Sequence, residues 1–244
     1  MTNNPAQQFQ QECKAEVAAQ GEDKALVALG QQFYNESARH KYTYHFSWMG
    51  RPIIQTPQDM IAMQELIWSV RPDVIIETGI AHGGSILYYA SLLQLIGHGE
   101  VIGIDIDIRQ HNREAIEAHP MSHRLSMIQG SSIDPELVAQ VRERVAGKKV
   151  MVVLDSNHTH EHVLEELRLY GPLVSVDSYC VVMDTVVEDM PEDAFPDRPW
   201  GKGDNPKTAV WQYLKENDDF AIDKSVQNKL LITVASDGYL RRVR

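Results

Sequence analysis

The sequence predicts an α/β fold built on a doubly wound, mostly parallel sheet, and three observations carry that expectation. From Asp73 onward, short apolar runs alternate with stretches of roughly helical length. The runs are nearly continuous in Val, Ile and Leu, as strands covered on both faces by helices require. After Phe220 the rhythm breaks into two strand-like stretches joined by too little chain for a helical crossover, so they are expected to pair antiparallel at one edge. With 244 residues, 43% of them hydrophobic, the chain can bury one sizeable core. We therefore expect an N-terminal helical extension over residues 1–55 and a single main domain over 56–244.

The elements follow in order. Residues 6–39 are polar, with Ala25, Leu26, Leu29 and Phe33 at helical spacing, and read as one or two helices outside the core. Thr56, Pro57 and Asp59 announce another helix as N-cap, first residue and first-turn acid, and it should end before Pro72. Five strands are expected in DVIIET, VIGIDI, LSMIQG, KVMVVLD and YCVVMDT. Residues 188–206, rich in acid, proline and glycine, form a surface excursion. FAIDKS at 220–225 and LLITVASDGYLRRV at 230–243 supply the edge pair, with a further tight turn at Asp237-Gly238.

Composition narrows the function. An excess of 34 acidic residues over 23 Lys and Arg gives a formal charge of -11, which disfavours nucleic acid and anionic membrane surfaces and favours a small-molecule substrate. The N-terminus has no apolar signal region and no stretch approaches the roughly 20 apolar residues of a membrane span, so a cytoplasmic protein is expected. Cys13 and Cys180 have neither the number nor the spacing of a disulfide framework or zinc site, and Cys180 reads as core. A homo-oligomer is expected, with the N-terminal helices and the edge pair as contact surfaces.

The chemistry should sit at the strands' carboxyl ends, where open α/β sheets bind ligands. After the first strand, Gly79, Ala81, Gly83, Gly84 and Ser85 form a glycine-rich turn into a helix N-terminus, the natural cradle for a cofactor. The dinucleotide spacing G-x-G-x-x-G is absent, which counts against a nicotinamide oxidoreductase. Asp105 ends the second strand where an adenosine ribose would present its two hydroxyls; Asp107, two residues on, reads as a solvated loop acid. Ser132 lies where an adenine edge would fall, although helix capping by Ser132 or Asp134 before Pro135 accounts for those residues equally well. Asp155 and Asp184 end the fourth and fifth strands, and two carboxylates converging there favour a hard cation such as Mg²⁺. His158, three residues after Asp155, is the candidate general base, with a plain loop histidine as the alternative. Thr159 reads as an N-cap, leaving His160 and His162 mostly solvated. Trp200 either stacks on a substrate ring or anchors its own loop.

Taken together, ETGIAHGGS, GIDID, LDSNHTHEHV, GPLVSVDSYCVVMDT, NPKTAVWQYL and DGYLRR resemble the cephalosporin hydroxylase family, which includes rhamnosyl O-methyltransferases. The resemblance covers about residues 40 to 244. It implies a Rossmann-like methyltransferase fold, S-adenosylmethionine as cofactor, a magnesium ion in one branch, and O-methylation of a sugar or glycosylated natural product. It also implies that Glu77, Gly79 and Ser85 belong to the cofactor loop, that Asp105 is the ribose acid and that Asp155 and Asp184 bind metal. The magnesium branch has a Glu-Asp pair where this sequence has Met183-Asp184, which passes the third ligand position to Thr185 or water. An iron hydroxylase using His158 and His160, a β-lactam-tailoring enzyme and a non-catalytic cofactor-binding subunit stay open as alternatives.

Overall fold

In the computed structural model, which describes residues 4–244, a seven-stranded sheet is sandwiched between helices, as expected. The chain opens with α1 (Pro5–Glu22) and α2 (Lys24–Ala38), capped at its start by Asp23. Neither packs as a core element: α1 buries no residue and α2 only Gly30. A short antiparallel hairpin, β1 (Phe46–Trp48) and β2 (Arg51–Ile53), follows. The stretch expected as a helical extension thus also contains strands, which three-residue runs cannot signal by periodicity. The hairpin is held by Trp48, whose indole N–H donates to Ser91 at 3.0 Å and whose ring meets Tyr88 edge-on at 4.8 Å.

Helix α3 (Pro57–Val70) starts and stops where its signals place it. The Thr56 hydroxyl accepts from the Asp59 N–H at 3.2 Å, and Arg71 turns left-handed ahead of Pro72. Then come β3 (Val74–Thr78), α4 (Gly84–Ile96), β4 (Glu100–Asp105), α5 (Gln110–Glu117), β5 (Leu125–Gln129), α6 (Pro135–Val145), β6 (Val150–Leu154), α7 (His160–Tyr170) and β7 (Tyr179–Val182). The central strands β3, β6 and β7 are buried at every position, which is why their sequences do not alternate. Cys180 is among these core residues.

The tail comprises α8 (Pro206–Glu216), β8 (Phe220–Ile222), α9 (Lys224–Leu230) and β9 (Tyr239–Arg242). Strand β9 pairs antiparallel with both β7 and β8, confirming an antiparallel edge. The run at 230–243, however, is strand only over its last part. Residues 224–230 are helical because Asp223 caps that helix, accepting from the Ser225 N–H at 3.1 Å. The apolar Leu231–Ala235 stretch is irregular and instead wraps a buried carboxylate, Asp59. That acid accepts from the Val234 N–H at 2.9 Å, the Tyr239 hydroxyl at 2.7 Å and the hydroxyls of Thr56 and Thr233. Ala235 to Gly238 closes as a turn, though not one joining two strands.

The sheet order β5-β4-β3-β6-β7-β9-β8 reverses direction between β3 and β6. That switch point opens a crevice at the strands' carboxyl ends, and it is where the site residues gather.

Candidate active site

Two loops meet across the switch point so closely that only glycine fits. Gly79 has φ +90, and a Cβ there would lie 2.0 Å from the Asp155 carbonyl oxygen. Gly84 likewise presses on the hairpin, where a Cβ would lie 2.1 Å from the Pro52 carbonyl oxygen. The glycines expected to admit a ligand therefore also bring chain against chain. Ala81 holds a left-handed conformation, φ 47, in the same loop.

Asp105 fixes this loop. Its carboxylate accepts from the N–H groups of Ile80 at 2.7 Å, Ala81 at 3.2 Å and Asp107 at 3.0 Å. Asp107 itself is exposed, as expected. Beneath the loop Glu77 is fully buried: one carboxylate oxygen accepts from the Ser85 hydroxyl at 2.8 Å, while the other has no hydrogen-bond partner among the described residues. Burial pushes the Glu77 carboxyl up to about 8, with the hydroxyls of Ser85 and Tyr89 opposing the effect and the nearby Asp105 adding to it.

The crevice has two ends. One is lined by Gln55, Gly79, Ala81, Ser85, Asp155 and His158, the other by Gly79, Asp105, Ser132, Ser156, Asn157 and His162. Gly79 and Ser156 belong to both, so the two ends lie side by side about the Gly79–Ser156 contact. A third cavity, of about 470 Å³, opens beside it and is walled by Tyr34, Tyr42, Tyr44, Phe195 and Trp200. It shares His158 and Asp184 with the first.

At that junction the ligand atoms of Asp155, His158 and Asp184 all lie within 4.8 Å of one another. His158 Nε2 is 3.2 Å from Asp184 Oδ2 and 3.8 Å from Asp155 Oδ1. Asp184 adopts a left-handed conformation, φ 53, strain of the kind that aims a side chain at a site. Burial first, and then repulsion from Asp184 and Glu77, holds the Asp155 carboxyl well above its usual range; a quarter of its side chain is still open to the crevice. Asp155 and Asp184 share the crevice with the buried Glu77 close behind, and such repulsion is relieved by cations, which suits both a ligand carrying positive charge and a divalent ion.

The donor set fits magnesium, an ion commonly held by one or two carboxylates with water completing its shell. Of the two substitutes expected for the missing glutamate, Thr185 or water, the chain does not supply the first. Met183 is buried in the core, and the Thr185 hydroxyl is buried and spent on the Val234 carbonyl at 3.5 Å. The third position is left to water.

Trp200 packs its ring on the His158 imidazole, centroids 4.8 Å apart, so it both anchors its loop and shapes the junction. Three further expectations are corrected. Thr159 occupies the N-cap position of α7 but makes no capping bond; Asp204, from the 188–206 loop, accepts from the His160 N–H at 2.7 Å instead. His160 is not solvated: its ring contacts Thr208 Oγ1 at 2.8 Å and Gln212 Oε1 at 2.9 Å on α8, away from the carboxylates, so the two-histidine iron set is not assembled. His162 turns inward to the crevice wall, while Asp134, not Ser132, caps α6. Tyr34, Tyr44, Gln55 and Glu166 escaped the sequence reading altogether, since no local pattern marks a helix or loop residue that reaches a distant strand end.

Residues 40–243 match the family described as Rhamnosyl O-methyltransferase/CmcI. The rhamnosyl O-methyltransferase of Mycobacterium tuberculosis is 30% identical over 218 residues, spanning 86% of this chain and 82% of its own. That of Mycobacterium leprae is 29% identical over 201 residues, spanning 80% and 82%. Among solved structures, CmcI with magnesium and S-adenosylmethionine shares the fold with a TM-score of 0.57 at 20% identity, over 82% of this chain and 78% of that one. Matched along most of its length by sequence, with the expected sheet and antiparallel edge in place, the chain belongs to the Rhamnosyl O-methyltransferase/CmcI family.

Proposed function

We propose that the chain transfers the methyl group of S-adenosylmethionine to a hydroxyl of a sugar or glycosylated small molecule. The observation that carries this reading is the Asp155–His158–Asp184 cluster, set where the elongated crevice and the aromatic cavity meet. The crevice would hold the cofactor. Glu77 offers its unpartnered oxygen to an ammonium group, and Asp105 keeps the loop in place while offering its remaining lone pair to a ribose hydroxyl. The aromatic walls of the neighbouring cavity suit the apolar face of a sugar ring or aglycone. Family members named as rhamnosyl O-methyltransferases support a sugar acceptor.

Methyl transfer asks the protein for alignment and for removal of one proton. The acceptor oxygen forms its bond to the methyl carbon as the sulfur–carbon bond breaks, and the hydroxyl proton passes to His158 Nε2. Asp184 and Asp155 lie close enough to stabilise the imidazolium that results. Trp200 keeps the imidazole from rotating away. A magnesium ion at Asp155 and Asp184, when bound, would lower the pKa of the acceptor hydroxyl.

The test is cofactor binding by calorimetry together with methyl transfer to a rhamnoside acceptor. S-adenosylmethionine should bind, and His158→Gln should lower kcat by roughly two orders of magnitude or more while leaving the cofactor Kd unchanged. Binding of NAD and not S-adenosylmethionine sinks the reading.

A further inference from the structure

Helix α7 carries a polar stripe that the methyl-transfer chemistry does not use. His162, Glu166 and Tyr170 recur at four-residue spacing and so share one face. Each reaches a loop that walls the Asp105 end of the crevice. The Tyr170 hydroxyl donates to the Ser132 carbonyl at 2.8 Å, and His162 Nε2 is 3.1 Å from the Ser132 hydroxyl. The same Nε2 is 3.2 Å from the Ser156 hydroxyl, which donates to Glu166 Oε1 at 2.7 Å. Ser132 follows β5 and Ser156 follows β6, so the stripe ties together two loops that no backbone ladder joins.

The stripe is costly as a structural device. Glu166 is wholly buried on a helix that otherwise packs Val163, Leu164 and Leu167 into the core. Its second oxygen, Oε2, has no partner among the described residues. A carboxylate so placed loses its hydration without full repayment, and an apolar side chain of similar size would commonly serve stability as well or better. Groups kept at such a cost are found where function needs a side chain oriented.

We propose that the His162–Glu166–Tyr170 stripe is a positioning device that fixes the spacing of the Ser132 and Ser156 loops, and so sets affinity for the nucleoside half of the cofactor. This rests on the methyltransferase reading above. Glu166 acts through Ser156 and through His162, whose Nε2 lies 3.5 Å from Glu166 Oε1, and Tyr170 acts through Ser132; only His162 itself faces the crevice. Because Ser156 follows Asp155 directly and lines that end as well, the Asp155–His158–Asp184 end should sense the stripe less than the nucleoside end does.

The test compares wild type, Glu166→Met and Glu166→Gln for melting temperature, for the Kd of 5′-methylthioadenosine, and for acceptor KM at saturating cofactor. Glu166→Met should melt at or above the wild-type temperature yet bind 5′-methylthioadenosine about tenfold or more weakly, the worth of one or two lost hydrogen bonds. Acceptor KM should rise by a clearly smaller factor than that Kd. Glu166→Gln, which still accepts from Ser156, should restore most of the affinity. A folded Glu166→Met with wild-type affinity overturns the proposal, as does an equal rise in Kd and acceptor KM. If Glu166→Met does not fold, a Glu166→Gln variant no better than His162→Ala in nucleoside affinity overturns it equally. Wild type that binds neither S-adenosylmethionine nor 5′-methylthioadenosine removes the methyltransferase reading and this proposal with it, whereas failure of the variants alone removes only the stripe.

Discussion

At the residue scale the site is governed by carboxylates held where water cannot fully solvate them. Glu77 shows the consequence most directly, because its raised proton affinity belongs to the folded state alone. Between its ordinary value of 4.5 and about 8 the folded chain binds more protons at this group than the unfolded chain does. Stability from this residue is therefore full below the ordinary value and lost as pH rises towards about 8, with a slope no steeper than about 1.4 kcal/mol per pH unit. Glu77→Gln should remove that slope, seen as urea midpoints that diverge from wild type with rising pH. Parallel curves would refute the assignment. The residue is legible in the sequence as the acid of ETG, but its burial is not: nothing local says that the oxygen opposite Ser85 lacks a partner.

At the element scale, helix ends divide into those specified locally and those specified from afar. Helix α3 is written entirely in Thr56, Pro57 and Asp59, and α6 in Asp134 and Pro135. Helix α7 looks as though it were written in Thr159, yet the Thr159 hydroxyl donates to Asn157 and the cap comes from Asp204. Asp204→Ala should therefore cost about 0.5–2 kcal/mol, a usual value for a lost N-cap, while Thr159→Ala should cost much less, as read from thermal or urea unfolding. The reverse order would restore the local reading. Since the same loop carries Trp200 against His158, loss of Asp204 should also loosen the catalytic junction. The 230–243 run makes the same point for strands, because its β-branched Ile232, Thr233 and Val234 lie in the irregular stretch that wraps Asp59, and only Tyr239, Leu240 and Arg241 pair with β7.

At the scale of the whole molecule, a chain of net charge -11 gathers Glu77, Asp155 and Asp184 at a single switch point, and self-repulsion there is relieved by ligands. Magnesium should raise the melting temperature of wild type to a plateau, since an ion that binds only the folded state stabilises it by mass action. Asp155→Asn should melt higher than wild type without magnesium, respond little to it, and lack turnover. A magnesium response equal to wild type would remove Asp155 from the site. The five parallel strands, their order of appearance, the antiparallel edge and the strand-end acids were determined by the sequence itself, whereas the β1–β2 hairpin and the bounds of β9 were not. Periodicity, β-branching and caps are local or face-specific signals, and each survives reading in one dimension. The tertiary structure alone decided that His158 joins the carboxylates, that His160 and His162 part company, that Met183 turns into the core, and that Tyr34, Tyr44 and Gln55 wall the site. Those outcomes depend on which loops pack together across the β3–β6 crevice, and contacts between residues so distant along the chain leave no spacing to read.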